Sequence, residues 1–267
     1  MIAMVSNDMI QFKHVSLSYQ LTKKKTIPVL HDINMTIDPG EVVSIIGPSG
    51  CGKTSFLKAL AGLTPITEGQ ILISSSDPDL ARKKRSVSFV FQRPVLFPWR
   101  TVLQNVLLPA ELNNSSRVDD DANYKEKATE LLAIMGLESF RNAYPHQLSG
   151  GMQSRVALAR AYLTSPEVLL MDEPFASLDQ ISRNRMNLEL LRIRDRYRSS
   201  IVFVTHSIEE AVFIADRVYL FSHLPATIEQ VVEVTLPKDR SHAIRDSSAF
   251  IDITRALRQR LENVYQY

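Results

Sequence analysis

Residues 47–54 read Gly47-Pro48-Ser49-Gly50-Cys51-Gly52-Lys53-Thr54, the spacing G-x-x-x-x-G-K-[ST] of a loop that wraps nucleotide phosphates. Gly47, Gly50 and Gly52 allow backbone conformations and close approaches that a Cβ would block. Successive N–H groups then converge on one anionic point, and the helix starting near Lys53 adds its positive end. Lys53 offers a cation to the outer phosphates, and Thr54 a hydroxyl to Mg²⁺. At average residue usage, the four fixed positions coincide by accident in about one chain of this length in a hundred. The flanks supply the required setting. Glu41–Ile46 is a short apolar strand feeding the loop. Beyond it Phe56, Leu57, Leu60 and Ala61 recur at helical spacing until Gly62 and Pro65 stop the helix.

A length of 267 residues suits one large α/β domain, or one domain with an inserted or appended piece. Hydrophobic residues make up 45% of the chain, enough for a core and unlike a disordered composition. The net charge of +2 gives no footprint of nucleic-acid scale. Two basic runs, Lys23–Lys25 and Arg82–Arg85, are local and read as solvated loop or strand entry. Cys51 is the single cysteine, so no intrachain disulfide is possible and a reducing compartment is expected. Inside the phosphate loop it is either a redox-responsive thiol or a small side chain that the loop tolerates. Met1–Phe12 has no apolar export signal, and no run approaches the roughly eighteen apolar residues of a membrane span.

Outward from the loop, alternation in Phe12, Val15, Leu17 and Tyr19 predicts a strand over Ile10–Tyr19. Gln20–Pro28 is polar and reads as a loop, and Ile33–Ile37 as a second strand closed by the turn Asp38-Pro39-Gly40. These two strands are expected as an antiparallel edge beside a parallel sheet. Glu68-Gly69 opens a hairpin-like region, and Ser86–Gln92 is the next strand. Arg93–Ser165 then changes texture, with Pro94, Pro98 and Pro109, a polar loop at Asn113–Asp121 and helical spacing in Tyr124–Met135. It reads as a helical insertion. Pro166 returns the chain to strand at Glu167–Met171. Met186, Leu190, Ile193 and Tyr197 mark a helix face. Ile201–Thr205, Val218–Phe221 and Thr227–Val234 read as strands, Ile208–Ala215 as a short helix, and Phe250–Val264 as a last amphipathic one.

Further chemical positions sit at strand ends and one helix start. Of nine glycines, five lie in two places: three in the phosphate loop and two in Leu148-Ser149-Gly150-Gly151-Met152-Gln153. Ser149 can cap a helix whose first N–H groups Gly150 and Gly151 leave bare, either a second anion cradle or an ordinary helix start. The apolar run Val168–Met171 delivers Asp172 and Glu173 to the C-terminal edge of a buried strand, where ligands of open α/β sheets bind. Asp172 suits Mg²⁺, and Glu173 is placed to polarise a water attacking the γ-phosphate; both could equally end a strand. His206 after Ile201–Thr205 is a γ-phosphate contact or a satisfied surface histidine. Gln92 ends its strand in the same way, and Tyr19 either stacks on adenine or packs at an edge.

Together and in this order, these residues resemble the nucleotide-binding subunit of an ABC transporter over nearly the whole chain. The fold implied is a P-loop NTPase core of α/β class, with an antiparallel β edge and a helical subdomain. Its core spans 1–92 and 166–237, its helical subdomain 93–165, and a short extension 238–267. The resemblance implies Tyr19 as the adenine-stacking aromatic and Gly47–Thr54, continued by Ser55, as Walker A. Gln92 is the Q-loop residue, at a metal and catalytic position. Leu148–Gln153 is the signature, including Ser149, Gly150 and Gly151. Walker B ends at Asp172, Glu173 is the catalytic carboxylate, Ser177-Leu178-Asp179 the D-loop, and His206 the switch histidine. Ser55 and Ser154 depart from the Thr and Gln that relatives often carry. ATP and Mg²⁺ are the implied cofactors. The implied partner is a second copy meeting head to tail, so that ATP lies between one Walker A and the neighbour's signature.

Two kinds of ABC protein compete: a transport motor, and a soluble ATPase acting on nucleic acid or ribosomes. The soluble kinds carry long coiled-coil insertions or two cores in one chain, by family resemblance, whereas this chain has one core and no heptads. Gln92-Arg93-Pro94-Val95-Leu96-Phe97-Pro98-Trp99-Arg100 gathers apolar residues and the single tryptophan, as a groove for a helix of a membrane permease would, or as an internally packed connector would. Leu96–Val102 followed by Asn105-Val106 looks most like importer ATPases for nitrate, sulfonates and taurine. That resemblance implies a peripheral protein on the cytoplasmic face of the inner membrane, served indirectly by a solute-binding protein, with no nucleic-acid partner.

Overall fold

The computed structural model describes residues 8–22, 25–112 and 118–265. Its centre is a six-stranded sheet of β3 (Val42–Ile46), β5 (Val87–Val90), β6 (Val168–Asp172), β7 (Ser200–Val204), β8 (Arg217–Phe221) and β9 (Ile228–Glu233), in the order β5-β6-β7-β3-β8-β9. The first five strands run parallel, and β9 closes the edge antiparallel to β8. Every residue of β3, β6 and β7 is buried. This is why they are nearly unbroken apolar runs: strands covered on both faces have no solvent side to show.

Alternate residues of those strands enter two cores. Leu169, Met171, Ile201 and Phe203 face a helical layer that includes α5 (Gly150–Tyr162), α6 (Gln180–Tyr197), α7 (Ile208–Ile214) and α8 (Ser248–Tyr265). Val168, Leu170, Val202 and Val204 face α1 (Lys53–Leu60) and the antiparallel strands. With a side-chain period of two, one strand feeds both layers. The helices α3 (Val102–Glu111) and α4 (Val118–Ile134) pack with α5 in the first core.

The antiparallel part is a sheet of its own, ordered β2-β1-β4 from β1 (Ile10–Thr22), β2 (Lys25–Ile37) and β4 (Glu68–Ile73). Gln20–Pro28, read from sequence as a loop, is largely strand: Ser18 pairs with Pro28 and Gln20 with Thr26. The hairpin end is exposed on both faces, so it carries polar residues without the alternation that signals a strand. Pro28 fits because β2 is an edge. In the expected loop Asn113–Asp121, residues 113–117 lie outside the described residues, and the helix α4 already begins at Val118. Lys23 and Lys24 of the first basic run, and residues 1–7 of the N-terminal stretch, also lie outside them. A short helix, α2 (Pro78–Lys83), follows β4. Asp77 caps it by accepting the Leu80 N–H and Pro78 opens it, a helix start that the sequence reading passed over.

One glycine is indispensable to the antiparallel sheet. Gly69 has φ +86°, and a Cβ there would lie 2.2 Å from the carbonyl oxygen of His14, where β1 bulges. Gly69→Ala is expected to destabilise the fold by about 2 kcal/mol or more, since both backbone strain and a clash with main chain oppose it. Urea unfolding of the two proteins checks this.

Candidate active site

The strand order brings four loops to one edge. Gly47–Gly52 follows β3, Gln92 lies two residues past β5, Glu173 one past β6 and His206 two past β7. Since all four strands run parallel, their C-terminal ends share this edge, and the chain changes direction of winding at β3.

The phosphate loop is held open by its own backbone. Gly47, Gly50 and Gly52 have φ of +159°, +78° and +109°. A Cβ on Gly52 would stand 2.7 Å from Val29 Cγ1. The first internal bond of α1 runs from Phe56 N–H to Gly52 O. The amides of Lys53, Thr54 and Ser55 precede it, as in any first helical turn, and remain donors for an anion. Lys53 is 8% exposed, and its Nζ donates to the carbonyls of Gly47 and Pro48, each at 2.8 Å. Its third N–H faces the weak acceptor Cys51 Sγ at 3.9 Å, so the lysine is fixed across the loop with its charge and one loosely engaged donor available to an anion. Ser49 and Gly50 are exposed at the tip. Burial pushes the Cys51 thiol up, with Lys53 pulling the other way. A buried, protonated thiol packs behind the loop and is a poor redox group. Tyr19 donates its hydroxyl to Ser55 Oγ at 3.2 Å, which places the aromatic beside the loop.

Across from the loop, Thr54 Oγ1 donates to Asp172 Oδ2 at 2.8 Å. Burial pushes the Asp172 carboxyl up; the Thr54 hydroxyl pulls it back, and the neighbouring Glu173 charge pushes it up again. Glu173 turns out of β6 with φ +46°, its N–H still donating to Val204 O at 2.9 Å. Its Oε2 accepts from Gln92 Nε2 and faces His206 Nδ1, both at 3.2 Å. One carboxylate oxygen therefore gathers the ends of three strands. A buried aspartate beside a second carboxylate is short of positive charge, and a divalent cation next to Thr54 and Asp172 would supply it. Among the described residues, no cluster of three or more His, Cys, Asp or Glu side chains could hold a metal. The adjacent Thr54 hydroxyl and Asp172 carboxylate suit an ion such as Mg²⁺, which takes few protein ligands and completes its shell from phosphates and water.

Ser149, Gly150, Gly151 and Asp179 are not brought to this group. They line a second cavity of about 260 Å³, together with Ser177 and Arg155, that includes no residue of the phosphate loop. Ser149 Oγ caps α5 by accepting the Met152 N–H, and Asp179 caps α6 by accepting the Ser182 N–H at 2.9 Å. Bonds from the Ser182 hydroxyl and amide hold the Asp179 carboxyl below its usual range.

The stretch after Gln92 is rigid yet shows apolar surface. Trp99 is 70% exposed and Val95 63%, with Phe91 also exposed. The rings of Phe97 and Trp99 pack at a tilt of 32°, with centroids 5.1 Å apart. Two residues that sequence reading gave no role hold this loop. Buried Asn105 accepts the Phe97 N–H and donates to the carbonyls of Phe97, Arg100 and Thr101. Arg160 donates to the carbonyls of Pro94 and Val95. Only proximity in the fold reveals the second of these, sixty-six residues from its partner.

Comparison with known proteins agrees with this geometry. The profile of the ABC transporter family matches residues 30–176. An uncharacterised ABC transporter ATP-binding protein of Methanocaldococcus jannaschii is 42% identical over 217 residues, 80% of this chain and 79% of that protein. The aliphatic sulfonates import ATP-binding protein SsuB of Bacillus cereus is 38% identical over 244 residues, 91% of this chain and 92% of that protein. Among solved structures, the dimeric post-hydrolysis state of an ATP-binding cassette bound to ADP and Pi has a TM-score of 0.76 and 31% identity. It covers 86% of this chain and 100% of its own.

Proposed function

The chain belongs to the ABC transporter family as an ATP-binding ATPase, and from that premise we propose that it drives import of a small solute through separate permease subunits. The reaction is ATP + H₂O to ADP + phosphate. The observation that carries the residue roles is the convergence of Gln92 and His206 on Glu173, beside the Thr54–Asp172 pair. Gly47–Ser55 holds the phosphates through its amides and Lys53, while Tyr19 stacks on the base. Thr54, Asp172 and Gln92 would hold Mg²⁺, which would supply positive charge to neutralise the phosphates. Glu173 accepts a proton from the attacking water, and His206 orients that carboxylate and donates toward the γ-phosphate.

The second cavity receives a nucleotide held by another copy of the chain. Two motor subunits thus meet head to tail, each supplying Ser149, Gly150, Gly151 and Asp179 to its partner's ATP. The dimeric cassette structures support that reading. We divide the chain into a nucleotide-binding core (1–92 and 166–237), a helical subdomain (93–165) and an extension (238–267), a reading supported by the run of helices α3 to α5 between β5 and β6. Similarity to sulfonate importers supports a small solute of the sulfonate, nitrate or taurine kind, delivered by a solute-binding protein. Among the described residues, no helix is long and apolar enough to cross a membrane. The protein works peripherally, on the cytoplasmic face, and its permeases dock over Gln92–Arg100.

Docking of this kind has a direct test. Replacing Phe97 and Trp99 together by alanine removes the exposed aromatic pair but not the Asn105 bonds, which go to backbone. Truncating a central aromatic anchor typically weakens an interface by about 2 kcal/mol or more. Co-purification with membrane subunits is expected to be lost while ATP binding by the isolated chain is retained. Unchanged co-purification would show that the permeases dock elsewhere.

A further inference from the structure

Beneath the turn that carries His206, buried polar side chains from two helices meet. Glu210 on α7 is 5% exposed, and its Oε2 accepts a 2.5 Å hydrogen bond from Thr205 Oγ1. That hydroxyl also accepts the Ser207 N–H at 3.0 Å. One carboxylate oxygen thus fixes the backbone on both sides of His206. The other, Oε1, is buried with no hydrogen-bond partner, and so are Arg183 Nε and both amide atoms of Asn187. Arg183 and Asn187 stand one turn apart on α6. Burial pushes the Glu210 carboxyl up, and Thr205, Arg183, His206 and Asn187 act on it in the other direction.

The same arginine reaches the second cavity. Arg183 Nη2 donates to Leu178 O at 2.9 Å. Leu178 lines that cavity beside Asp179, and its side chain lies against the bare glycine of the opposite wall: a Cβ on Gly151 would fall 2.4 Å from Leu178 Cδ2. Direct contacts thus run from Gly151 through Leu178 to Arg183, and from Glu210 through Thr205 to His206 and Glu173; between the two halves the Arg183 charge acts on the Glu210 carboxyl across a gap that no hydrogen bond or ion pair closes.

We propose that Arg183, Asn187 and Glu210 are positioning residues that tie the Ser149–Asp179 cavity to His206, so that a partner's nucleotide seated in the cavity adjusts the His206–Glu173 contact. The guanidinium donates to the Leu178 carbonyl, while its Nε and the nearby Glu210 Oε1 are both left unpaired. Unpaired groups of this kind are unfavourable in a low-dielectric interior. A shift of Leu178 that frees Arg183 toward Glu210 therefore has a gain to set against its cost. Contact alone is no proof of coupling; the double variant is.

The proposal rests on the head-to-tail reading above, and Glu173→Gln separates the two. On the full chain at saturating ATP, R183Q and E210Q are each expected to lower kcat about tenfold, with KM and Tm little changed. The double variant is expected to be no slower than the worse single, because both break one link. R183K, which keeps the charge, is expected to recover part of the loss. The imidazole NMR signals of His206 are expected to move in R183Q, although Arg183 does not touch the ring. Losses that multiply in the double variant, that follow Tm, or that leave the His206 signals in place would overturn the link. Wild-type kcat in R183Q and E210Q, with E173Q inactive, would sink it and leave the function standing. An active E173Q would sink the reading of the site itself. Should E210Q fail to fold, R183Q and R183K decide the matter on the same measurements.

Discussion

Lys53→Ala is expected to reduce ATP hydrolysis by a hundredfold or more and to weaken ATP binding severely. The lysine is buried at the base of the loop, tied to Gly47 O and Pro48 O, with its third N–H only loosely engaged by Cys51 Sγ. A positioned donor where charge develops in the transition state accounts typically for a factor of about 10² to 10³ in kcat. Alanine would also remove one hydrogen bond from each of the Gly47 and Pro48 carbonyls, about 1 kcal/mol apiece, although Pro48 O keeps the Cys51 N–H. Both effects act on phosphates, so base recognition should survive. Hydrolysis assays with binding of a fluorescent ATP analogue check this, and Tm distinguishes lost chemistry from lost fold. Lys53→Arg is a useful companion. It retains the charge but not the compact ammonium, and at 8% exposure the site has little room for a planar fork. It should recover binding only in part. Hydrolysis at the wild-type rate in Lys53→Ala would remove the loop from the mechanism.

What could be read from the chain in advance was whatever chemistry fixes locally. The phosphate loop shows itself because each glycine answers a backbone demand and each polar residue a ligand. β3, β6 and β7 show themselves because burial on both faces leaves apolar runs that end in Gly47, Asp172 and His206. The hairpin tip Gln20–Pro28 did not, because solvent on both faces removes the alternation that marks a strand. Asn105 and Arg160 stabilise a loop through backbone carbonyls, so nothing in their own neighbourhood announces them. The Arg183–Glu210 region was hidden for the same reason. In sequence Glu210 is one of two adjacent glutamates in a short helix, and only the fold buries the second beside α6. The separation of Ser149–Gly151 from the phosphate loop is different again. Two helix starts whose chemistry suits an anion were legible, but whether one chain joins them is a matter of topology alone.

Glu173→Gln is expected to slow hydrolysis by a factor of about 10² to 10⁴, the usual share of a positioned general base. It is also expected to leave ATP bound rather than lost. Glutamine has nearly the shape of glutamate, and the positive φ of residue 173 and its N–H bond to Val204 O place no demand on the charge. The amide oxygen can still accept from Gln92 Nε2, so the three strand ends remain gathered. Two things change. No base remains to take the water's proton, and a carboxylate that repels both Asp172 and an incoming γ-phosphate becomes neutral. The first halts turnover, while the second strengthens retention of the triphosphate. With hydrolysis stalled and ATP in place, two copies should stay joined through Ser149, Gly151 and Asp179 of each. Light scattering on a sizing column is expected to show a monomer without nucleotide and a dimer with Mg-ATP. Ser149→Ala with Gly151→Asp on the Glu173→Gln background should abolish the dimer while each chain still binds ATP, because the substituted cavity serves only the neighbour's nucleotide. If the stalled protein stays monomeric at saturating ATP, the two anion sites work separately and the shared-pocket mechanism fails.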